Sequence, residues 1–347
     1  MLFVSLRDLQ WRRKRFLIGV LAAGLVFALT LLMSGVSASF GTEIKHSIAA
    51  FGVDGWVVPS GVSGPFTSTR VFPAAEARQI GARPGIQAAE PVLLMRTTVK
   101  TPKVKDLNVV GITPDGVVKA KVSQGRWIQQ PGEVVIDAAL GSKVGAKLHM
   151  LGRDFTVVGR THGLTYFAGV PIAFMSLSDL QGGALNGAPL ATAVAVRGST
   201  TSPPAGYQVL TNGQVRADMN RPMHEATQTI NFIMALLWIV AAGIIGSILY
   251  LQAIERSRDF AVFKATGVTT RTLLSGLAFQ AIALALCAAI AAYVLSFLLT
   301  PLVSMAVEIP MAAYLALPVV AVLVGLVSSL VALRRAVTVD PALAFGG

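Results

Sequence analysis

Hydrophobic positions follow two different patterns along this chain. Four long apolar runs contain no Asp, Glu, Lys or Arg, and they cover residues 16–38, 230–252, 273–300 and 312–333. An α-helix needs about 20 such residues to cross the hydrocarbon core of a bilayer. The pattern therefore predicts four transmembrane helices, with a long polar region between the first helix and the second.

That polar region, residues 39–229, alternates between short apolar and polar stretches. Its β-rich runs, bounded by Gly and Pro, lie at residues 56–58, 95–101, 107–112, 133–137, 154–160, 172–177 and 192–196. Helical patterns cover residues 73–83 and 137–144, and a third begins at 178. We expect an α+β domain inserted between helices 1 and 2, with a linker or turn at residues 197–207. Residues 39–51 and 215–229 look helical and would extend the adjoining spans as a paired stalk.

The composition agrees with a membrane protein. The chain is 54% hydrophobic and 13% charged, its mean hydropathy is +0.66, and soluble domains carry about 25% charged residues. The net charge of +12 comes partly from bases beside the spans, at residues 7–15, 256–271 and 334–335. Bases that flank spans mark the cytoplasmic side of a membrane, so this charge indicates topology and not nucleic-acid binding.

The positions of these bases predict an orientation. Residues 1–15, 253–272 and the tail 334–347 would be cytoplasmic, while residues 39–229 and the short loop 301–311 would lie outside. We expect a multi-pass protein of the bacterial cytoplasmic (inner) membrane, in contact with membrane lipid.

Residues 1–15 are also typical of an amphipathic interfacial helix, with Leu2, Leu6 and Leu9 on one face. A cleaved signal peptide is the alternative for this start; the apolar run is longer than usual for one, so an uncleaved span is favoured.

The chain shows no pattern typical of a catalytic or ligand-binding site. It has no G-x-x-x-x-G-K-[ST] phosphate loop, its four histidines are scattered, and its single cysteine, Cys287, lies inside an apolar run. Neither a metal-ligand spacing nor a nucleophile–base pair is apparent. We therefore expect a non-catalytic chain with no cofactor and no metal of its own.

The segment "ERSRDFAVFKATGVTTRTLL", residues 255–274, is dense in charge although it lies between two apolar runs. Phe260 and Phe263 share one face of a short helix, and Gly267 is placed to end that helix in the left-handed conformation. Thr269 or Thr270 can cap the next helix. Such a helix could lie on the membrane surface, or insert its apolar ridge into a groove on a cytoplasmic partner.

The segment also resembles the signature of the FtsX-like permease family, which typically reads E-R-x-R-E-[IF]-x-[IV]-[LM]-[RK]-A-[LT]-G-[AV]. In this chain Asp259 replaces the commoner Glu, and Phe263 replaces Leu or Met. The tail "RRAVTVDPALAF" (334–345) resembles the family's R-R-A-x-x-x-[DN]-P ending. Residues 125–159 are similar to the extracytoplasmic core domain of MacB-type permeases, where a G-R-x-[FIL] turn and a G-E-V-V strand precede a short helix and an F-x-V-V-G strand.

This resemblance implies a mechanotransmitting ABC permease subunit. Two copies would pair, and two copies of a separate cytoplasmic ATPase would bind ATP and Mg. The short helix would be a coupling helix seated on that ATPase. The residues assigned to this coupling are Glu255, Arg256, Arg258, Asp259, Phe260, Phe263, Lys264 and Gly267.

Small residues in the spans predict close helix packing. Spans 2 and 3 carry them at helical spacing, at Gly243, Gly246, Ser247, Ala281, Ala285, Ala288 and Ala292. Alanine-rich spans are common, so an interface with another span and ordinary composition both stay open.

Three functions are open at this point. The leading one is export or extraction of a lipid, lipoprotein, peptide or drug-like substrate at the outer face, with an extracytoplasmic partner or substrate protein as an option. The second is an FtsX-like transmembrane regulator that activates an extracytoplasmic cell-wall hydrolase. A small-solute importer permease is less favoured, because importers carry an E-A-A-x-x-x-G loop that this chain lacks.

Overall fold

The computed structural model describes residues 13–101, 104–198, 200, 203–255, 262, 266–303 and 307–337. Within these residues the helices are α1 (Arg13–Phe51), α2 (Glu76–Gly81), α3 (Leu177–Ala184), α4 (Asn212–Glu255), α5 (Thr270–Leu299) and α6 (Met311–Val337). Four of them, α1, α4, α5 and α6, are long and apolar enough to cross a membrane. The chain divides into two compact units, residues 1–39 with 227–347 and residues 40–226.

The first unit is a helical membrane unit. Its core is built from apolar side chains of all four long helices, among them Phe27 of α1, Ile245 of α4, Leu284 of α5 and Leu317 of α6. Helices suit this environment because each satisfies its own backbone hydrogen bonds, which lipid cannot do. The proline inside α6, Pro318, interrupts one of those bonds near the start of that helix.

The second unit is an α+β domain. Its strands are β1 (Gly55–Pro59), β2 (Phe72–Pro73), β3 (Ile86–Lys100), β4 (Val104–Ile112), β5 (Gln124–Gly125), β6 (Glu133–Asp137), β7 (Lys147–Met150), β8 (Arg153–Thr161), β9 (Ile172–Ser176), β10 (Leu190–Ala191), β11 (Ala193–Gly198) and β12 (Tyr207–Thr211).

Most of these strands form one mixed sheet in the order β12-β1-β11-β3-β4-β9-β6-β8-β5. β7 pairs with β3 and β8, and β2 pairs with β10 as a separate ribbon. β4 runs parallel to β9 and β6 runs parallel to β8. The long strand β3 joins the two halves of the sheet, because its first part pairs with β11 and its second part with β4.

Two apolar cores stabilise this domain. In one, Leu180 of α3 packs with Leu107 of β4, Ile136 of β6 and Phe155 of β8. In the other, Ile80 of α2 packs with apolar residues of β1 and β11. Each short helix covers one half of the sheet, which is the layered arrangement expected of an α+β domain.

A bidentate ion pair fixes the stretch that resembles the MacB-type core. Arg126 donates to both carboxylate oxygens of Glu133, one of them at 2.8 Å from Nη1. The arginine lowers the pKa of the Glu133 carboxyl to about 2, and hydrogen bonds from the backbone N–H groups of Gln129 and Gln130 act in the same direction. Gly125 faces Gly159 across β5 and β8. A Cβ on Gly125 would lie 2.3 Å from the Val158 carbonyl oxygen, so only glycine fits this close approach.

Most of the predicted elements are confirmed, and one is wrong. Strands at residues 56–58, 107–112, 133–137, 154–160, 172–177 and 192–196 correspond to β1, β4, β6, β8, β9 and β11. The helix expected over residues 137–144 is only a 3-10 turn, Ala138–Leu140, because Gly141 follows it at φ +88°. The helix expected over 73–83 is shorter, since residues 72–73 belong to β2. β7, β12 and the first half of β3 were not predicted.

Candidate functional site

The predicted coupling segment joins α4 to α5. Glu255 is the last residue of α4, and Gly267 lies three residues before α5 begins. The other predicted coupling residues lie outside the described residues: Arg256, Arg258, Asp259, Phe260, Phe263 and Lys264. Their placement and their role in coupling stay predictions. The amphipathic helix expected at the N-terminus falls mostly on residues 1–12, which lie outside the described residues as well.

The end of this segment has a defined turn. The Thr266 N–H donates to the Val262 carbonyl oxygen at 3.0 Å, so these two residues are joined by a backbone hydrogen bond. The next residue, Gly267, has φ +88°, the left-handed conformation that the sequence predicts. Val262 is half exposed on this turn. A left-handed glycine is a common way to end a helix, and this position is the one at which the sequence predicts that the coupling helix ends.

The start of α5 is capped by Thr269. Its Oγ1 accepts a hydrogen bond from the Thr272 N–H at 3.4 Å, and its backbone is extended, at φ −69° and ψ 145°. Of the two threonines that the sequence offered as caps, the structure therefore uses Thr269. The turn and the cap together fix the direction in which α5 leaves the segment.

Small residues of α5 lie in the interior of the membrane unit. Ala281, Ala285, Ala288 and Ala292 are all fully buried. Two glycines that the sequence analysis missed lie against this ridge. A Cβ on Gly24 of α1 would lie 3.0 Å from the Ala291 Cβ, and a Cβ on Gly325 of α6 would lie 3.1 Å from the Ala281 carbonyl oxygen. The α5 ridge therefore packs against α1 and α6 of the same chain.

The small residues of α4 lie on two different faces. Gly246 is buried, and a Cβ on it would lie 3.7 Å from the Ser328 carbonyl oxygen of α6. On the same side, Ser328 Oγ donates to the Ala242 carbonyl oxygen at 2.9 Å. Gly243 and Ser247 are exposed instead. Within the described residues, a Cβ on Gly243 would meet no atom within 4 Å.

A metal site needs several ligating side chains close together, and in the described part of the chain these would come from His, Cys, Asp and Glu residues. No group of three or more His, Cys, Asp and Glu side chains is found there. Cys287 is half-buried beside the apolar core of the membrane unit.

Two family descriptions match most of the chain. Residues 231–341 match the FtsX-like permease C-terminal family, and residues 17–209 match the MacB-like periplasmic core domain. The first match covers α4 from its membrane part through α5 and α6, including the coupling segment. The second covers most of α1 and the sheet of the α+β domain.

Relatives of similar length are also known. The chain is 40% identical to "Uncharacterized ABC transporter permease Rv2563" of Mycobacterium tuberculosis, and 41% identical to "Uncharacterized ABC transporter permease Rv0072" of the same organism. Both alignments span 348 residues and cover 100% of each chain. A third relative, "Putative hemin transport system permease protein HrtB" of Staphylococcus epidermidis, is 28% identical over 145 residues, 41% of each chain.

Among solved structures, the periplasmic region of MacB from Actinobacillus actinomycetemcomitans matches with a TM-score of 0.38 at 14% identity. It covers 51% of this chain and 97% of that one. The family matches and the full-length relatives agree with the four apolar helices and the α+β domain placed after the first of them. The chain belongs to the FtsX-like ABC transporter permease family and carries a MacB-like core domain.

Proposed function

We propose that this chain is the non-catalytic membrane subunit of an ABC complex in which a separate cytoplasmic ATPase moves the α+β domain. ATP and Mg bind to that ATPase, and this chain contributes the coupling segment. The α+β domain lies outside the cytoplasmic membrane, and both termini lie in the cytoplasm. Two copies of this chain pair, and each copy engages one ATPase.

The observation that carries this proposal is the extent of α4. The helix begins at Asn212, directly after β12 of the sheet, and ends at Glu255, where the coupling segment starts. Its 44 residues correspond to a length of about 66 Å at 1.5 Å per residue. Pro222 removes one backbone hydrogen bond within α4, but the helix continues through it. A continuous helix that starts after the sheet and ends at the coupling segment would transmit a displacement better than a loop.

The capped turn at the other end of the segment supports the same function. Gly267 and Thr269 hold the junction with α5 in one conformation. A force applied to the predicted coupling helix would therefore reach α5. A flexible connection would absorb that force, since loops with few constraints open at little free-energy cost.

The output is export or extraction of an apolar or amphipathic substrate, such as a lipid, lipoprotein, peptide or drug-like molecule. Activation of an extracytoplasmic cell-wall hydrolase is the second candidate. The similarity of residues 17–209 to the MacB-like core domain favours export or extraction. In this proposal that domain, and not a short outer loop, is the part of the chain outside the membrane.

The coupling role is tested with Phe263→Ala. Truncation of an aromatic anchor in an interface pocket commonly costs about 2 kcal/mol, or roughly thirtyfold in affinity. We expect the variant to insert normally but to lose most of the ATPase that co-purifies with the tagged chain from native membranes. Coupled ATP turnover in the reconstituted complex should fall in parallel.

The matched control is Lys119→Ala, a truncation of an exposed side chain on the α+β domain. It should leave both ATPase association and turnover unchanged. Wild-type association and turnover in Phe263→Ala would mean that the segment is only a surface connection, and the proposal would lose its residue-level support.

A further inference from the structure

A cavity of about 340 Å³ lies on one face of the β3–β4 hairpin, within the α+β domain. Alternate residues of a strand point to opposite sides of a sheet. Leu94 and Arg96 of β3 pair with Val110 and Asn108 of β4, and these four line the cavity. Their sequence neighbours Leu93 and Leu107 point into the apolar core instead. Met95 and Val109 pack on the core side and also border the cavity, so the hairpin has one packed face and one face that is partly open to a ligand.

The walls of the cavity are aromatic and aliphatic. Phe66 and Tyr166 meet edge to face with ring centroids 5.8 Å apart, and Phe167 follows Tyr166 at 6.2 Å. Ile172 of β9 and Pro222 of α4 also line the cavity, and a polar Thr-Ser-Thr stretch follows Phe66 along its wall. A largely apolar concavity of this volume with a few polar groups is typical of small-molecule sites.

The rim over the cavity is strained and firmly held. Phe167 and Ala168 have φ of 68° and 61°, which is uncommon for residues other than glycine. Three hydrogen bonds hold the backbone on either side of them. Asn108 Nδ2 donates to the Tyr166 carbonyl oxygen at 2.9 Å, the Gly169 N–H donates to Glu43 Oε1 at 2.7 Å, and Ser47 Oγ donates to the Thr165 carbonyl oxygen at 2.6 Å. Strain that the surroundings impose in this way is concentrated at ligand sites.

The positively charged side chain of Arg96 lines the cavity. The Arg96 guanidinium carbon lies 4.9 Å from the Phe167 ring centroid, so the ring positions the charged group. Arg96 donates one N–H to Asp106 Oδ2 at 2.6 Å. Both side chains of this pair are about half exposed, so the pair contributes little and Arg96 can bind a second anion. A guanidinium offers five N–H donors in a planar fork that matches a carboxylate or phosphate.

Charges elsewhere in the domain fit an anionic ligand with its charge at Arg96. Residues 39–229 contain 18 Lys and Arg against 12 Asp and Glu, a net charge of +6, which attracts anions. Away from Arg96, the buried Asp218 carboxylate accepts a hydrogen bond from Thr67 Oγ1, so that side disfavours an anion. Burial raises the pKa of Tyr166 to about 12, so its phenol stays neutral.

We propose that this cavity binds an amphiphilic anion, with its apolar chain or ring against Leu94, Val110 and Ile172 and its carboxylate or phosphate on Arg96. The site belongs to the α+β domain alone. The proposal therefore does not depend on ATPase coupling, and it can fail or hold separately from it.

The test uses the full chain in nanodiscs of zwitterionic phosphatidylcholine. Two photoreactive probes carry the same diazirine-labelled twelve-carbon chain, one ending in a carboxylate and the other in an alcohol. A third probe, a diazirine-labelled naphthoate, asks whether a ring occupies the site as well as a chain does. Labelled peptides are mapped by mass spectrometry, and apparent affinity is read from the concentration dependence of labelling.

The carboxylate probe should label residues 66–69, 94–96, 108–110 and 166–172, with an apparent affinity about tenfold or more above that of the alcohol. That ratio corresponds to one charge-assisted hydrogen bond. Labelling of these peptides by the naphthoate alone would also support the site and would identify the apolar part as a ring. Labelling confined to the apolar runs at residues 16–38, 230–252, 273–300 and 312–333 would overturn the proposal, because it would show partition into lipid only.

Variants separate the two halves of the site. Arg96→Gln should lower carboxylate labelling to the level of the alcohol and leave alcohol labelling unchanged. Arg83→Gln, which removes an exposed arginine elsewhere in the domain, should change neither. Thr69→Trp places a large ring at an exposed position of the cavity wall, where the fold should tolerate it, and should reduce labelling by both chain probes.

Circular dichroism and size-exclusion chromatography check that each variant is folded. Unchanged carboxylate labelling in folded Arg96→Gln would overturn the role of the cation. Unchanged labelling in folded Thr69→Trp would overturn the cavity as the binding site.

Discussion

At the residue scale, the conformation of Gly267 determines how the coupling segment meets α5. Its φ is +88°, and within the described residues a Cβ on it would meet no atom within 4 Å. A substitution therefore acts through the backbone alone, and a left-handed conformation costs a β-branched residue about 1–2 kcal/mol. We expect Gly267→Val to reorient the segment and to reduce ATPase co-purification and coupled ATP turnover several-fold.

A matched control exists for this substitution. Gly145, in the α+β domain, has φ +87°, and a Cβ on it would likewise meet nothing within 4 Å among the described residues. Gly145→Val carries the same backbone cost, so it should lower the thermal stability of the α+β domain but leave ATPase association intact. Equal loss of association in both variants would attribute the effect to general misfolding and not to the segment.

The Arg126–Glu133 pair makes a residue-scale prediction about pH. Hydrogen bonding from Arg126 lowers the pKa of Glu133 from its ordinary value of 4.5 to about 2. A lowered pKa in the folded state adds stability above pH 4.5, and that stability is lost as the pH falls from 4.5 towards 2. We expect Glu133→Gln to destabilise the α+β domain by about 1 kcal/mol at pH 7 and to make its stability less dependent on pH in that window.

Thermal unfolding of the full chain, followed by tryptophan fluorescence between pH 2 and 7, measures this dependence. Asp115→Asn changes an exposed carboxylate of the same domain and should keep the wild-type slope. A Glu133→Gln profile parallel to wild type across the window would contradict the prediction.

At the element scale, the sequence predicts an element best where a long apolar run marks a helix or where turn residues clearly bound a strand. The four apolar helices and strands such as β6, Glu133–Asp137, follow directly from hydrophobic pattern and turn residues. β7 was missed because it is only four residues long, although Lys147–Met150 alternates polar and apolar side chains. The first half of β3 was missed because its burial depends on β11, which is distant in sequence.

The helix contacts show the same limit. The ridge of alanines on α5 was visible at helical spacing, but its partners Gly24 and Gly325 belong to other helices. A single sequence gives the face of each helix and not the helix that covers it. The cavity beside Arg96 could not be predicted either, because β3, β4, β9, α4 and two loops build it together.

Gly325 supplies a prediction for the contact between α5 and α6. A Cβ there would lie 3.1 Å from the Ala281 carbonyl oxygen and 3.2 Å from the Ile282 Cα, and backbone atoms cannot move aside as a side chain can. Gly325→Leu should therefore force the helices apart and lower the unfolding temperature of the membrane unit in nanodiscs by several degrees. Overpacking of this kind commonly costs about 1–3 kcal/mol.

Gly243→Leu is the control for that experiment, because it adds the same side chain at an exposed position of α4. The unfolding temperature should match wild type. An unfolding temperature for Gly325→Leu equal to that of Gly243→Leu would contradict the close α5–α6 contact.

At the scale of the whole molecule, the placement of bases and the position of the inserted domain lead to one topology. The clusters at residues 7–15, 256–271 and 334–335 must all lie on the cytoplasmic side if the positive-inside rule decides the orientation. With four spans, this places the α+β domain outside and the coupling segment inside. Only in this orientation can a cytoplasmic ATPase reach the segment.

Cysteine accessibility tests this orientation in intact cells. In a Cys287→Ala background, Thr98→Cys on the exposed side of β3 should react with a membrane-impermeant thiol reagent, whereas Val262→Cys should react only after permeabilisation. Both positions are exposed, so a difference between them reports the side of the membrane and not burial. The reverse labelling pattern would place the segment outside the cell, where no ATPase could bind it, and would remove the topological basis of the proposed function.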